Sequence, residues 1–301
     1  MIAHLPVMLR EVMEILEPER GGVYVDATVG LGGHSREMLR RMGPQGSLVG
    51  IDRDEEALKM AQAALASEKG KAAFELRHAR FSELDSVIDG LGINNIDGIL
   101  FDLGVSMLQL KGTDRGFSFN SDEPLDMRMD KSFPLTARDV LDTYSEADLR
   151  RIFGEYGEER YAGRIARQVV FLRRKGTPVR TGRELARVAL SAYHHGAGGG
   201  SREKIHPATR IFQALRIEVN RELDELKAGL DFSMRRLSKG GRIAVIAYHS
   251  LEDRIVKHFL KGAAAEGKCL LLSKKPVRPD LREIRENPAA RSAKLRGAER
   301  L

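Results

Sequence analysis

Two aspartates and a cluster of glycines mark where this chain could do chemistry. Asp26 ends an apolar run and opens the stretch D-A-T-V-G-L-G-G, so that Gly30, Gly32 and Gly33 precede His34 and Ser35. Glycines after a strand let backbone approach a ligand that a Cβ would exclude. A helix starting there offers unpaired N–H groups from about His34 onward. Asp52, in V-G-I-D-R-D, falls at the end of the next strand, where a carboxylate accepts hydrogen bonds from ribose hydroxyls. Together these residues suit an adenosine-bearing ligand. A dinucleotide site requires G-x-G-x-x-G, yet the sixth position from Gly30 is Ser35. Asp26 beside the turn would repel a pyrophosphate, whereas it suits the ammonium of S-adenosylmethionine. The residues favour the methyl donor over a nicotinamide cofactor and its oxidoreductase chemistry. A tight turn with no ligand is the bland alternative.

The elements that must position these residues alternate. Val23–Asp26 reads as a strand, residues 35–42 as a helix, 46–52 as a second strand and 55–67 as a helix with Leu58, Ala61 and Leu65 on one face. Residues 72–81 give a third strand, and 96–106, apolar enough to be central in a parallel sheet, a fourth. Strands spaced by single helices imply an α/β, doubly wound sheet. The rhythm breaks at Ser106, after which three helices are expected near 145–157, 160–176 and 181–193. A glycine-rich linker follows at 194–204. One long helix is expected from Pro207, with Phe212, Leu215, Val219, Leu223, Leu226 and Leu230 as its stripe, before a fifth strand ending at Tyr248. The expected organisation is a discontinuous α/β domain, 1–106 and 206–301, around a helical insertion, 107–205.

Composition narrows the setting. The 301 residues carry a formal charge of +7 and a pI near 9.5. Residues 107–204 hold 18 basic and 14 acidic side chains, and residues 273–301 nine and four, so the excess lies in two regions. Solvated helix faces would account for any single arginine, but two basic regions on a near-neutral chain point to nucleic acid. No apolar run approaches the ~18 residues of a membrane span, and the N-terminus lacks the pattern of a secretory signal. The single cysteine, Cys269, excludes an internal disulfide and fits a reducing cytosol, so a cytoplasmic setting is expected. The eight histidines show no H-x-x-x-H pattern or cysteine pairing, so no metal is expected.

Nine segments then match a known family in order: GLGGHS, IDRD, DGILFDLGVS, DRGFSF, PLDMRMD, YGEERYAGRIAR, HPATRIFQALRIEVN, GGRIAVIAYHSLEDRIVK and NPAARSAKLR. They run from residue 30 to 296, and the chain resembles the RsmH (MraW) family, which methylates the exocyclic N4 of a decoding-region cytidine in 16S ribosomal RNA. The resemblance implies a class I, Rossmann-like S-adenosylmethionine-dependent methyltransferase sheet with an inserted α-helical substrate domain. It places cofactor contacts on Gly32, Gly33, His34, Asp52, Phe81, Asp102 and Gln109. The family commonly reads D-L-G-V-S-S-P-Q-L, so Met107 and Leu108 before Gln109 depart from it. The implied partner is 16S rRNA or the small ribosomal subunit, with no membrane, and a dimer is one admissible assembly. A non-catalytic RNA-binding module and an enzyme acting on another nucleic acid, such as a DNA cytosine, are the alternatives.

Chemistry at an exocyclic amine requires alignment, acceptors for its protons and a dry pocket. Asp102 and the adjoining backbone, in the fourth strand, are expected to orient the amine, with Ser106 nearby. His249 is either a proton acceptor or a hydrogen-bonded structural residue. Arg115, Phe117 and Phe119 would stack a base and hold its phosphate, or anchor a loop. Arg210, Gln213, Arg216 and Asn220 share one helix face, and Ser250 overlooks the substrate side. Arg291, Lys294 and Arg296, with Arg164 and Arg167 of the insertion, are expected on RNA phosphates, giving steep salt dependence. The target base is expected to flip out of its stack.

Overall fold

The computed structural model describes residues 5–68, 72–106, 108–109, 115–194 and 206–301. It divides into two compact units, Met1–Ser106 with Leu223–Leu301, and Met107–Glu222. The second unit thus ends later than the sequence suggests. The reason is the helix Pro207–Asn220, whose side chains are tied to residues 127–159 and whose group with them leaves the strands to the first unit. The linker expected at 194–204 lies, apart from His194, outside the described residues.

The first unit is built on seven strands: β1 (Val23–Asp26), β2 (Ser47–Asp52), β3 (Ala73–His78), β4 (Ile96–Asp102), β5 (Leu237–Ala247), β6 (Cys269–Leu271) and β7 (Lys294–Arg300). Their order is β3-β2-β1-β4-β5-β7-β6, parallel except for β7, which runs antiparallel to both neighbours. This is the class I methyltransferase order that the resemblance implies. Successive residues face opposite sides, and both faces are apolar. Val25, Val49, Ile99 and Val245 pack with Leu84 and Ile88 of the helix Leu84–Gly90, Leu226 and Leu230 of the helix Glu222–Arg236, and Val256. Tyr24, Leu48, Leu100 and Ala244 face Val12, Met13 and Leu16 of the helix Leu9–Leu16 and Met38 and Leu39 of the helix Gly33–Arg41.

The basic C-terminal segment, 273–301, contains the helix Leu281–Glu286 and β7. The single helix expected from Pro207 is two, Pro207–Asn220 and Glu222–Arg236, separated by Arg221 in the left-handed region at φ 50°. The second unit also contains the helices Ala137–Thr143, Glu146–Glu155, Ala162–Arg174 and Gly182–His194. Thr136 and Ser145 cap two of them through the N–H groups of Asp139 and Asp148. Among the described residues no helix is long and apolar enough to cross a membrane.

Candidate active site

The chain leaves β1 for β2 on one side and later returns to β4 on the other, so strand order reverses at β1. The carboxyl ends of strands beside such a reversal form a ligand crevice. Asp26, Asp52 and Asp102 terminate β1, β2 and β4 there.

The glycine turn is held by these acids. Gly30 and Gly32 take φ of 52° and 82°, a region that side chains with a Cβ seldom enter. Gly33 has a different reason: a Cβ there would stand 2.7 Å from Pro6 Cγ. The absence of a side chain there permits packing against the N-terminal segment. Asp52 Oδ2 accepts from Gly30 N at 2.8 Å, and its Oδ1 accepts from Asp54 N at 2.9 Å. Burial pushes the Asp52 carboxyl up to about 6, against the lowering pull of those two N–H groups.

Asp26 is fully buried and its oxygens are used internally. Oδ2 accepts from Ser35 Oγ at 2.6 Å and Oδ1 from Thr28 N at 3.1 Å. Asp26 thus clamps the turn, and the hydroxyl of Ser35, at the sixth position, is one jaw of that clamp. Burial raises the Asp26 pKa, opposed by Ser35, His34 and Thr28.

Asp102 lies at the centre of a denser network. Its N–H donates to Thr28 Oγ1 at 2.7 Å, and its Oδ1 accepts from Tyr248 Oη at 2.7 Å. Its Oδ2 is 3.7 Å from His34 Nδ1, an ion-pair distance. His34 Nε2 lies 3.0 Å from Val7 O, which can only accept, so Nε2 carries a proton. Burial raises the Asp102 pKa, with His34 and Tyr248 lowering it and Asp26 and Glu252 raising it. Burial and the Asp102 charge hold the Tyr248 hydroxyl well above its ordinary value, so Tyr248 is the donor. Tyr248 is a member of the site that sequence reasoning missed. Its signal was a hydroxyl-bearing ring at the end of an otherwise apolar strand.

Phe81 begins a single turn, Phe81–Glu83, directly after β3. Its ring meets Phe101 edge-on at 5.1 Å, and the Arg53 guanidinium lies 5.8 Å from its centroid. Ser82 N and Oγ donate to Glu225, which fixes the turn. Ser106 and Ser250 are half-buried, the latter at the start of the helix Ser250–Ala265. Gln109 is buried in the second unit.

His249 caps that helix and is not placed as a proton acceptor. Its Nδ1 accepts from Glu252 N at 3.4 Å, while Glu252 Oε2 accepts from the Tyr248 and His249 N–H groups. His249 Nε2 is 3.0 Å from Glu252 Oε1 but misaligned for a hydrogen bond, and the atom is buried without a partner.

Most residues expected on the substrate are wired into the second unit itself. Arg115 is buried against the carbonyls of Arg128 and Met129, and Phe117 is buried beside it. Phe119 stacks on His206 with centroids 4.9 Å apart and meets Phe212 edge-on. Gln213 donates to Tyr156 O, Arg216 makes a paired contact to Glu222, and Arg210 stands 3.7 Å from Glu159. Asn220 accepts from Met129 N and donates to Met127 O. These polar side chains stand beside the apolar stripe and tie the helix to neighbouring segments. In the first unit Lys294 and Arg296 both pair with Asp253, and Arg291 is exposed. Burial would raise Asp253, but those two cations hold its carboxyl below the usual range.

The crevice thus gathers acceptors and one aromatic face, suited to hydroxyls, an amine and a flat ring, with no activated nucleophile among the described residues. A model of the MraW methylase family matches residues 1–301. "Ribosomal RNA small subunit methyltransferase H" of Caldicellulosiruptor saccharolyticus is 48% identical over 318 residues, covering 100% of both chains. The protein of that name from Persephonella marina is 46% identical over 301 residues, again covering 100% of each. That of Syntrophotalea carbinolica is 48% identical over 313 residues, covering 99% of this chain and 98% of the relative. With its whole length matched and nearly half its residues shared, the chain belongs to the MraW methylase family.

Proposed function

We propose that this protein transfers a methyl group from S-adenosylmethionine to the exocyclic N4 of a cytidine in small-subunit ribosomal RNA, in the cytoplasm. The observation that carries the reading is the trio of carboxylates ending β1, β2 and β4 around a glycine turn. Family membership supplies the class of acceptor. The donor set fits the cofactor. Each Asp52 oxygen accepts one backbone N–H, leaving lone pairs for two ribose hydroxyls. Phe81, with Arg53 across it, offers a face for adenine. Asp26 contributes by keeping the turn in place.

Bound S-adenosylmethionine supplies an electrophilic methyl group on a sulfonium, so the protein need not activate a carbon. The amine of cytosine is a weak nucleophile whose lone pair is shared with the ring. Asp102, oriented by Tyr248, would accept one amino proton and hold the nitrogen in line. Its carboxyl, shifted upward by burial, is suited to take up the proton released as the bond forms. His34, 3.7 Å away, adjusts the charge of that acid.

The test incubates the protein with isotopically labelled donor and unmodified small subunits, then identifies the methylated nucleoside by mass spectrometry. N4-methylcytidine is expected, and Asp102→Ala should abolish its formation. Label on carbon 5 of cytosine, label on no RNA, or normal turnover by Asp102→Ala would each overturn the reading.

A further inference from the structure

The second unit holds a cleft of about 550 Å³ between the helix Glu146–Glu155 and the start of the helix Ala162–Arg174, lined by Arg150, Arg160, Arg164 and Arg167 around Tyr161. Only Glu159 among the lining residues is acidic, and it faces inward. Its side chain is 0% exposed, with one oxygen accepting from Tyr161 N at 2.8 Å and the other from Tyr193 Oη at 2.7 Å. Arg210 stands 3.7 Å behind it. The carboxylate is therefore balanced from within the unit and does not offset the four arginines at the cleft.

The arginines are braced, not loose. Tyr161 and Tyr193 meet edge to face at 4.6 Å. The Arg160 guanidinium lies 4.6 Å from one ring centroid and 5.4 Å from the other, and that of Arg164 lies 5.3 Å from Tyr161. Arg164 also donates to Ala192 O at 2.6 Å. Arg150 passes over Gly163, its Cδ 3.5 Å from where a Cβ would stand, an ordinary packing distance. Arg150 has no ion-pair partner among the described residues. Arg167 has only an exposed one, Glu146 at 3.6 Å. Holding several guanidinium planes on aromatic faces lowers the entropy lost when they engage an anion. A merely solvated basic face has no need of a buried carboxylate that fixes two tyrosines behind its arginines.

We propose that this cleft binds the phosphodiester backbone of the RNA substrate, with Arg150, Arg160, Arg164 and Arg167 as phosphate ligands and Glu159 as the residue that positions their aromatic braces. The proposal rests on the reading of the protein as a ribosomal RNA methyltransferase and locates where that RNA is gripped. Guanidinium forks match phosphate oxygens in pairs, and such contacts position the nucleic acid without reading its sequence.

The test measures binding of a fluorescein-labelled small-subunit rRNA fragment, and of whole small subunits, across a salt series. The proteins are the wild type, Arg150→Gln, Arg160→Gln and the double variant. Arg150 is exposed and without an ion pair, so its substitution leaves folding intact. Calorimetry with S-adenosylhomocysteine and thermal unfolding check this. Each substitution should make the slope of log affinity against log salt shallower by about 1, with the cofactor affinity unchanged. Wild-type and variant slopes that coincide on RNA would overturn the cleft proposal and leave the methyltransferase reading standing. Variants that bind naked RNA normally but lose the subunit would assign the cleft to a ribosomal protein, which also overturns it. A wild type that binds neither probe would sink the reading and the proposal together.

Discussion

Acidifying the medium should loosen the cofactor before it unfolds the protein, and Asp52 sets the pH at which this begins. Its carboxyl titrates near 6, because burial outweighs the Gly30 and Asp54 N–H groups. Two ribose hydroxyls donate best to the ionised form. With a pKa of about 6, roughly half of the sites are ionised at pH 6 and about one in eleven at pH 5. The dissociation constant for S-adenosylhomocysteine should therefore be flat above pH 7 and rise about tenfold per unit below 6. Binding at pH 6 should release about half a proton, visible by calorimetry in two buffers of unlike ionisation enthalpy. The stability of the free protein runs the other way. Asp52 has an ordinary value of 3.8 that folding raises to about 6. Its contribution to stability is fully present below the unfolded value and is lost as pH rises through 6. Asp52→Asn should bind weakly without this acid-side slope. A dissociation constant unchanged from pH 8 to 5, or an Asn variant that keeps the same slope, refutes the assignment of Asp52 to the ribose.

Two further substitutions separate roles within the network. Tyr248→Phe removes the 2.7 Å hydrogen bond to Asp102, worth roughly 1.5–3 kcal/mol to a charged acceptor. The acid limb of the methylation pH profile should move upward by about one pH unit or more, and an unmoved limb in a folded variant would show that Tyr248 does not act through Asp102. Asn220→Ala strands Met129 N and Met127 O in a buried loop. It should lower stability by about 2 kcal/mol while leaving RNA affinity per folded molecule unchanged. Weaker RNA binding with no loss in thermal unfolding would return Asn220 to the substrate surface.

The strands and the crevice at their carboxyl ends were legible because they rest on local rules. Val25, Val49 and Ile99 are apolar among apolar neighbours, and a parallel strand buried on two faces has no other composition. The acid at the end of β2 and the glycine turn follow from backbone geometry alone. What stayed hidden depends on contacts distant in sequence. Arg221, with its left-handed backbone, interrupts a continuous apolar stripe, and beside it Asn220 reaches residues 127–129, which no local pattern announces. Arg210, Gln213 and Arg216 looked like ligands for RNA because a polar residue beside a core stripe has two uses. Only their partners, Glu159, Tyr156 and Glu222, tell them apart. Lys294 and Arg296 likewise seemed free until β7 brought them to Asp253, 41 and 43 residues away. The alternation Lys294-Leu295-Arg296 was the available sign of a strand.

The long excursion between β4 and β5 bears on how the protein is made. These strands are hydrogen-bonded neighbours, yet β4 ends at Asp102 and β5 begins at Leu237. At ~5–20 residues per second of synthesis, the interval between them lasts on the order of ten seconds. Throughout that time the apolar edge of β4, with Ile99, Leu100 and Phe101, has no β5 beside it in the nascent chain. An uncovered strand edge of this composition is a template for wrong pairing. The sheet on which the chemistry stands is therefore the part of the molecule with most need of protection on the ribosome, the particle whose RNA the finished enzyme is proposed to modify.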